Sequence, residues 1–142
     1  MNFKGRLLGL DLGRKRVGVA LSDETAAIAS PHSTLRVSGN KELLDQVRQL
    51  IETHQVGAVV VGLPARLDGT DTGFSAKARS LTAYLAKNLP VPVHTYDERY
   101  TSKMAQSVIH ETGQGLKRGK DDLDKVAAAI MLNDFIKRHA DH

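Results

Sequence analysis

Residues 6–22 read RLLGLDLGRKRVGVALS, and this segment predicts how the sheet of the protein begins. Residues 6–13 and residues 16–22 are apolar runs typical of β-strands, and a short basic stretch lies between them. Gly13, at the start of that stretch, tolerates the unusual backbone angles of a tight turn. The segment therefore predicts a hairpin of two antiparallel strands.

The rest of the chain extends this sheet with alternating strands and helices. Residues 25–36 are typical of a third strand, interrupted near Pro31, and Asn40 is expected to cap the first helix. The elements that follow are a strand at 57–62, a helix that ends at Pro90, a strand at 91–96 and helices at about 101–112 and 123–138. This order predicts an α/β fold, with a mixed five-stranded sheet flanked by helices. We expect residues 113–122 to form a mobile loop and residues 139–142 to form a frayed, exposed tail.

Length and composition limit the class of protein. The chain has 142 residues, a net charge of +4 and no cysteine. The length favours a single domain over residues 1–142, and the missing cysteines exclude disulfides and thiolate metal sites. No apolar run reaches the roughly 18 residues of a membrane span, and the N-terminus lacks the pattern of a signal peptide. We expect a cytoplasmic protein, and its basic surplus favours a polyanionic partner.

Asp11 is the first candidate for a chemical role. Strand alternation places it on one face with Gly9 and Gly13, while the leucines beside it point to the other face. The two glycines leave the carboxylate in an open notch with room for a metal ion or a phosphate. The alternative is a carboxylate that caps a backbone amide near the turn.

Three further acidic residues are candidates, and two of them lie where this fold class places its sites, outside the carboxyl end of a strand. Asp97 and Glu98 directly follow a predicted strand, and an extended backbone points them to opposite faces. Asp124 lies in the first turn of the last predicted helix, on the side of Ala127 and Ala128. The alternative for these acids is that they stabilise helix N-termini. Three separated carboxylates favour a hard cation with oxygen ligands, Mg²⁺ or Mn²⁺.

Basic residues cluster beside these acidic positions, which suggests contacts with the phosphates of a nucleic acid. They are Arg14, Lys15, Arg16, Arg99, Lys117, Arg118 and Lys120. Aromatic residues make up only 4% of the chain, too few for a base-stacking platform, so charge must supply the affinity. The alternative is a solvated basic surface with no ligand.

Four segments together resemble one protein family. They are LLGLDLGRKRVGVALSD, VVVGLPARLDGT, DER followed by YTS, and LDKVAAAIML, in that order over about residues 6–138. The set is similar to the YqgF/RuvX family of ribonuclease H-like nucleases, described as Holliday junction resolvase-like or as pre-16S ribosomal RNA nucleases. The resemblance implies a ribonuclease H-like sheet, and it implies that Asp11, Glu98 and Asp124 are metal-binding catalytic carboxylates.

The resemblance also implies a reaction and a substrate class. Two divalent cations about 4 Å apart would activate a water and stabilise the leaving oxygen of a phosphodiester. The implied substrates are the 5′ region of pre-16S ribosomal RNA, Holliday junctions, or both. Tyr100 and Ser102 depart from the Leu and Thr that more often follow DER in the family, and Lys103 adds a charge there. These departures concern substrate preference more than chemistry.

Two other functions fit parts of the sequence. A non-catalytic nucleic-acid-binding or ribosome-assembly protein would keep the fold, although retention of all three carboxylates argues against it. Sugar kinases and actin-like ATPases begin with a similar Asp-x-Gly hairpin, but they need a second lobe that 142 residues do not supply.

Overall fold

Five strands and three helices make up the part of the chain that the structure, a computed structural model, describes: residues 5–13, 15–63, 73–97 and 120–139. In chain order they are β1 (Arg6–Leu12), β2 (Arg16–Ser22), β3 (Ala29–Arg36), α1 (Asn40–His54), β4 (Val56–Leu63), α2 (Gly73–Asn88), β5 (Val93–Asp97) and α3 (Lys120–His139). None of the helices in these ranges combines the length and the apolar character that crossing a bilayer requires.

The strands form one mixed sheet in the order β3-β2-β1-β4-β5. β1, β2 and β3 are an antiparallel meander, whereas β4 pairs in parallel with β1 and β5 pairs in parallel with β4. The predicted mixed five-stranded sheet is confirmed. Because β1, β4 and β5 run in the same direction, their carboxyl ends meet at one edge of the sheet.

Side-chain alternation along β1 separates two apolar cores. Leu8, Leu10 and Leu12 are buried on one face, where α1 and α2 cover the sheet. Leu7 is buried on the other face together with Leu132 and other residues of α3. Asp11 has the parity of Leu7, so its side chain faces α3.

Of two predictions for the segment before α1, the structure supports the irregular third strand and corrects the helix cap. β3 spans Ala29–Arg36, but its register against β2 shifts directly after Pro31, where His32 is skipped, so the strand is irregular at the predicted place. Proline is tolerated there because β3 is an edge strand. Gly39, not Asn40, is the N-cap of α1 and makes no side-chain cap bond. The Glu42 carboxylate accepts hydrogen bonds from the Ser38 hydroxyl and amide instead, at 2.7 and 3.2 Å, and so stabilises this end of the helix.

α3 is longer at both ends than the sequence predicted. It begins at Lys120, so residues 120–122 belong to a helix and not to the expected mobile loop. Asp124 consequently lies beyond the first turn. At the other end the His139 ring packs 4.3 Å from the Phe135 ring, one turn earlier, and this contact extends the helix into the expected frayed tail. The predicted helix 101–112 and residues 140–142 lie outside the described residues.

A single carboxylate organises the turn between β2 and β3. Asp23 accepts hydrogen bonds from the Thr25 hydroxyl and from the amides of Ala27 and Ile28, the latter two at 2.8 and 2.9 Å. These bonds, the one to the Thr25 side chain foremost, hold the pKa of Asp23 well below its usual range. They also stabilise the left-handed backbone of Ala26, which has φ 56°.

Candidate active site

Asp11 lies near the carboxyl end of the central strand, in a notch made of glycines. Its register partners are Gly18 on β2 and Gly62 on β4, and Gly9 and Gly13 are the residues of the same parity along the chain. No side chain from a neighbouring sheet position therefore crowds the carboxylate on this face. α3 covers part of this face, since a Cβ atom at Gly9 would lie 3.1 Å from the Leu132 side chain.

Gly18 brings α3 to this notch. A Cβ atom at Gly18 would lie 2.1 Å from the backbone oxygen of Asp124, well inside the 3.0 Å limit that real Cβ contacts essentially never cross. The backbone of α3 therefore rests directly on β2, which only glycine permits. Since Gly18 pairs with Asp11, Asp124 lies over the strand position next to Asp11, and the two acidic residues share one face of the sheet.

Arg16 fixes the side chain of Asp124. Its Nε donates a hydrogen bond to Oδ2 of Asp124 at 2.7 Å, and the two side chains are 25% and 30% exposed. A bond this short between two charged groups is among the stronger hydrogen bonds in proteins. The two residues are 108 positions apart in the chain. Charge patterning alone predicts that Arg16 contacts phosphates. The structure gives it a carboxylate partner within the protein.

Tyr96 attaches β5 to α3 close to the carboxyl end of the strand. Its hydroxyl donates a hydrogen bond to the Asp134 carboxylate, which also accepts one from Arg138 Nε at 2.6 Å. Burial, followed by the bond to Asp134, raises the pKa of Tyr96, so the phenol stays protonated. This network fixes the position of the strand end relative to the helix that carries Asp124.

Asp97 follows Tyr96 and therefore faces the opposite side of the sheet. Its register partner Leu63 packs against the core under α1 and α2, which agrees with this orientation. Asp97 is thus turned away from the face that carries Asp11. Glu98, the other member of the acidic pair, lies outside the described residues.

The remaining predicted site residues are distributed as follows. Lys15 is exposed in the turn between β1 and β2, and Lys120 is the first residue of α3. The other basic positions, Arg14, Arg99, Lys117 and Arg118, lie outside the described residues. The structure therefore brings together Asp11, Asp124 and Arg16 and leaves the rest of the predicted set as predictions.

The donor chemistry of the notch fits a hard divalent cation. Asp11 and Asp124 offer carboxylate oxygens, which Mg²⁺ and Mn²⁺ prefer. Within residues 5–13, 15–63, 73–97 and 120–139, no group of three or more histidine or acidic residues is arranged to hold a metal ion. Asp11 and Asp124 are two carboxylates that could contribute to such a site, and Mg²⁺ commonly combines one or two carboxylates with waters and substrate phosphates.

Sequence reasoning missed the role of Gly18 and Gly62. A signal for Gly18 was present, because a turn over residues 13–16 pairs Leu12 with Val17 and thus Asp11 with Gly18. Gly62 required the parallel register between β1 and β4, which a single sequence does not contain.

Comparison with known sequences gives a consistent result. A sequence model of the family described as "RuvX: Holliday junction resolvase" matches residues 5–138. A "Putative pre-16S rRNA nuclease" of Koribacter versatilis is 37% identical over 134 residues, covering 94% of this chain and 88% of the relative. A protein of the same name from Zymomonas mobilis is 40% identical over 140 residues, covering 96% and 83%.

Solved structures share the fold. The T. thermophilus RuvC protein in complex with Holliday junction substrate matches with a TM-score of 0.60 and 19% identity, covering 95% of this chain and 96% of that chain. The yeast mitochondrial Holliday junction resolvase Ydc2 matches with a TM-score of 0.62 and 12% identity, covering 96% and 80%. These matches confirm the predicted ribonuclease H-like sheet.

Proposed function

The chain belongs to the RuvX family, and from this premise we propose that it is a nuclease that uses Mg²⁺ or Mn²⁺ to hydrolyse phosphodiester bonds in structured nucleic acid. The observation that carries the proposal is the contact of the Asp124 backbone with Gly18, which sets Asp124 beside Asp11 on one face of the sheet. We take residues 1–142 to act as one domain.

We assign the metal ligands to Asp11, Glu98 and Asp124. Asp11 and Asp124 share a face, and Asp97 is turned to the opposite face, which favours Glu98 as the third carboxylate. Bound divalent cations supply an activated water and charge stabilisation at the leaving oxygen. The chain's own carboxylates supply oxygen ligands at fixed positions, and Gly18 lets the backbone of α3 bring Asp124 to the face of Asp11.

The substrate that we propose first is the 5′ region of pre-16S ribosomal RNA, because the curated relatives carry that name. Junction DNA is the second candidate, favoured by the structural neighbour that is bound to a Holliday junction. Basic residues of the chain would contact phosphates and not bases, so recognition would depend on shape. We assign this role to Arg14, Lys15, Arg99, Lys117, Arg118 and Lys120.

A cleavage panel tests the proposal. The purified chain is incubated with structured RNA that spans the 5′ end of 16S RNA, with a four-way DNA junction and with single-stranded DNA, each in Mg²⁺, in Mn²⁺ and in chelator. We expect metal-dependent cleavage of the structured RNA or of the junction, and none by an Asp11→Asn variant prepared in parallel. Binding without cleavage in either metal would contradict the nuclease proposal and favour a non-catalytic nucleic-acid-binding protein.

A further inference from the structure

Arg16 is hydrogen-bonded to the carboxylate of Asp124, which the proposed function assigns as a metal ligand. Its Nε lies 2.7 Å from Oδ2 of Asp124, and both side chains are partly open to solvent. The side chain comes from the first residue of β2, next to the turn that follows Asp11. A positive charge from the protein itself therefore lies at the notch that would receive a cation.

We propose that Arg16 is a positioning residue that holds Asp124 in the metal-free protein and gives up this carboxylate when a divalent cation binds. The proposal rests on the proposed function, because it requires Asp124 to be a metal ligand. It assigns Arg16 a role other than the phosphate contact that its place in the basic cluster predicts.

The physical argument is a competition for one carboxylate. A guanidinium and a divalent cation on the same carboxylate repel each other, and the repulsion is stronger at a partly buried site than in water. Metal binding therefore includes the cost of weakening the bond between Arg16 and Asp124. Without metal, the same bond offsets the repulsion between the charges of Asp11 and Asp124, which lie on the same face.

The bond also has a structural consequence. The contact between Gly18 and the Asp124 backbone needs α3 to stay seated on β2. Arg16, two residues before Gly18 on the same strand, attaches the side chain of Asp124 to that strand. The Asp124 carboxylate is thus held near the position of a metal ligand before a metal binds, and this bond lowers the metal affinity.

Calorimetric titration of Mn²⁺ into the full chain, without nucleic acid and at fixed ionic strength, tests the exchange. Arg16→Gln removes the charged donor, and Lys15→Gln is the matched control, because it removes the same charge from the adjacent, exposed residue. We expect Arg16→Gln to bind Mn²⁺ about three- to tenfold more tightly than the parent, the range for losing one partly exposed charged bond. Lys15→Gln should stay within about twofold of the parent.

The outcomes separate the inference from the function on which it rests. Mn²⁺ affinity of Arg16→Gln equal to or below that of Lys15→Gln would overturn the proposal, since Arg16 would then support the ligand and not compete for it. Absence of Mn²⁺ binding by the parent would instead contradict the proposed function. If circular dichroism shows that Arg16→Gln is unfolded, Arg16→Lys replaces it. This variant keeps the charge without the Nε donor, and we expect Mn²⁺ binding two- to threefold tighter than in the parent; equal or weaker binding would overturn the proposal.

Discussion

Replacing Gly18 with alanine tests the contact on which the site is built. The added Cβ would lie 2.1 Å from the Asp124 backbone oxygen and 2.5 Å from its carbonyl carbon. The obstacle is backbone, so no side-chain rotation relieves it. The helix must retreat by about 1 Å before the contact reaches 3.0 Å.

Other contacts of α3 oppose this displacement of the helix, so the substitution should lower the stability of the folded protein. Asn133 on α3 exchanges two hydrogen bonds with the backbone of Ala29, at 2.8 and 2.9 Å, and Arg16 holds Asp124 itself. Overpacking of this kind costs about 1–3 kcal/mol, and the rigid obstacle places Gly18→Ala near the upper limit. In a chain of this length, about 3 kcal/mol lowers Tm by roughly 10 °C. A displacement of about 1 Å at Asp124 should also lower the cleavage rate by about 100-fold.

Thermal melts and a cleavage time course measure both effects. Gly39→Ala is the matched control, because a Cβ there meets nothing within 4 Å and φ is an ordinary extended −170°. We expect its Tm to stay within a few degrees of the parent's and its cleavage rate to be unchanged. A Gly18→Ala variant with the parent's Tm and cleavage rate would refute the reasoning that α3 rests on this glycine.

Three further predictions concern other parts of the molecule. Tyr96→Phe removes a hydrogen bond to the Asp134 side chain, which is only 12% exposed. In urea titrations this variant should have a free energy of unfolding about 1–2 kcal/mol lower than the parent. An unchanged free energy of unfolding would show that this bond does not hold β5 to α3. Asp23, whose pKa is lowered in the folded state, stabilises the protein above its unfolded pKa of 3.8, and this contribution is lost as the pH falls further. Asp23→Asn should therefore have a lower Tm than the parent at pH 7, with a difference that shrinks towards pH 2; a constant difference would contradict the cause assigned to the shift. Replacing Lys117, Arg118 and Lys120 together by alanine should weaken nucleic-acid binding and flatten the dependence of log K on log salt concentration. An unchanged slope would show that these three residues do not contact the substrate.

Short-range patterns in the sequence were sufficient to predict the sheet. The alternation around Asp11 placed its carboxylate on the correct face, and the strand predicted at 57–62 is β4. Pro31 indicated the place where the register of β3 against β2 shifts, but not that this strand lies at the sheet edge, where proline is tolerated. Sheet order is a property of the whole fold and leaves no local pattern.

The site could be predicted only as a set of separate residues. Asp11 and Asp124 were identified individually, but the contact that joins them passes through Gly18 and spans more than 100 positions. Arg16 was grouped with its basic neighbours because charge patterning does not show that one member of a cluster points inward. Long-range pairing of this kind depends on how α3 docks on the sheet, and periodicity within the helix does not determine it.

The central claim is that Asp11 is a metal ligand, and Asp11→Asn tests it most directly through melts of both proteins in chelator and in Mg²⁺. The variant keeps the shape and removes one of two charges on the same face, so in chelator it should be at least as stable as the parent. Mg²⁺ at about 100 times its Kd should stabilise the parent by about 2.7 kcal/mol, roughly 10 °C in Tm, and the variant by far less. A variant that is less stable in chelator and gains as much from Mg²⁺ as the parent would contradict the account, because Asp11 would then be a structural residue.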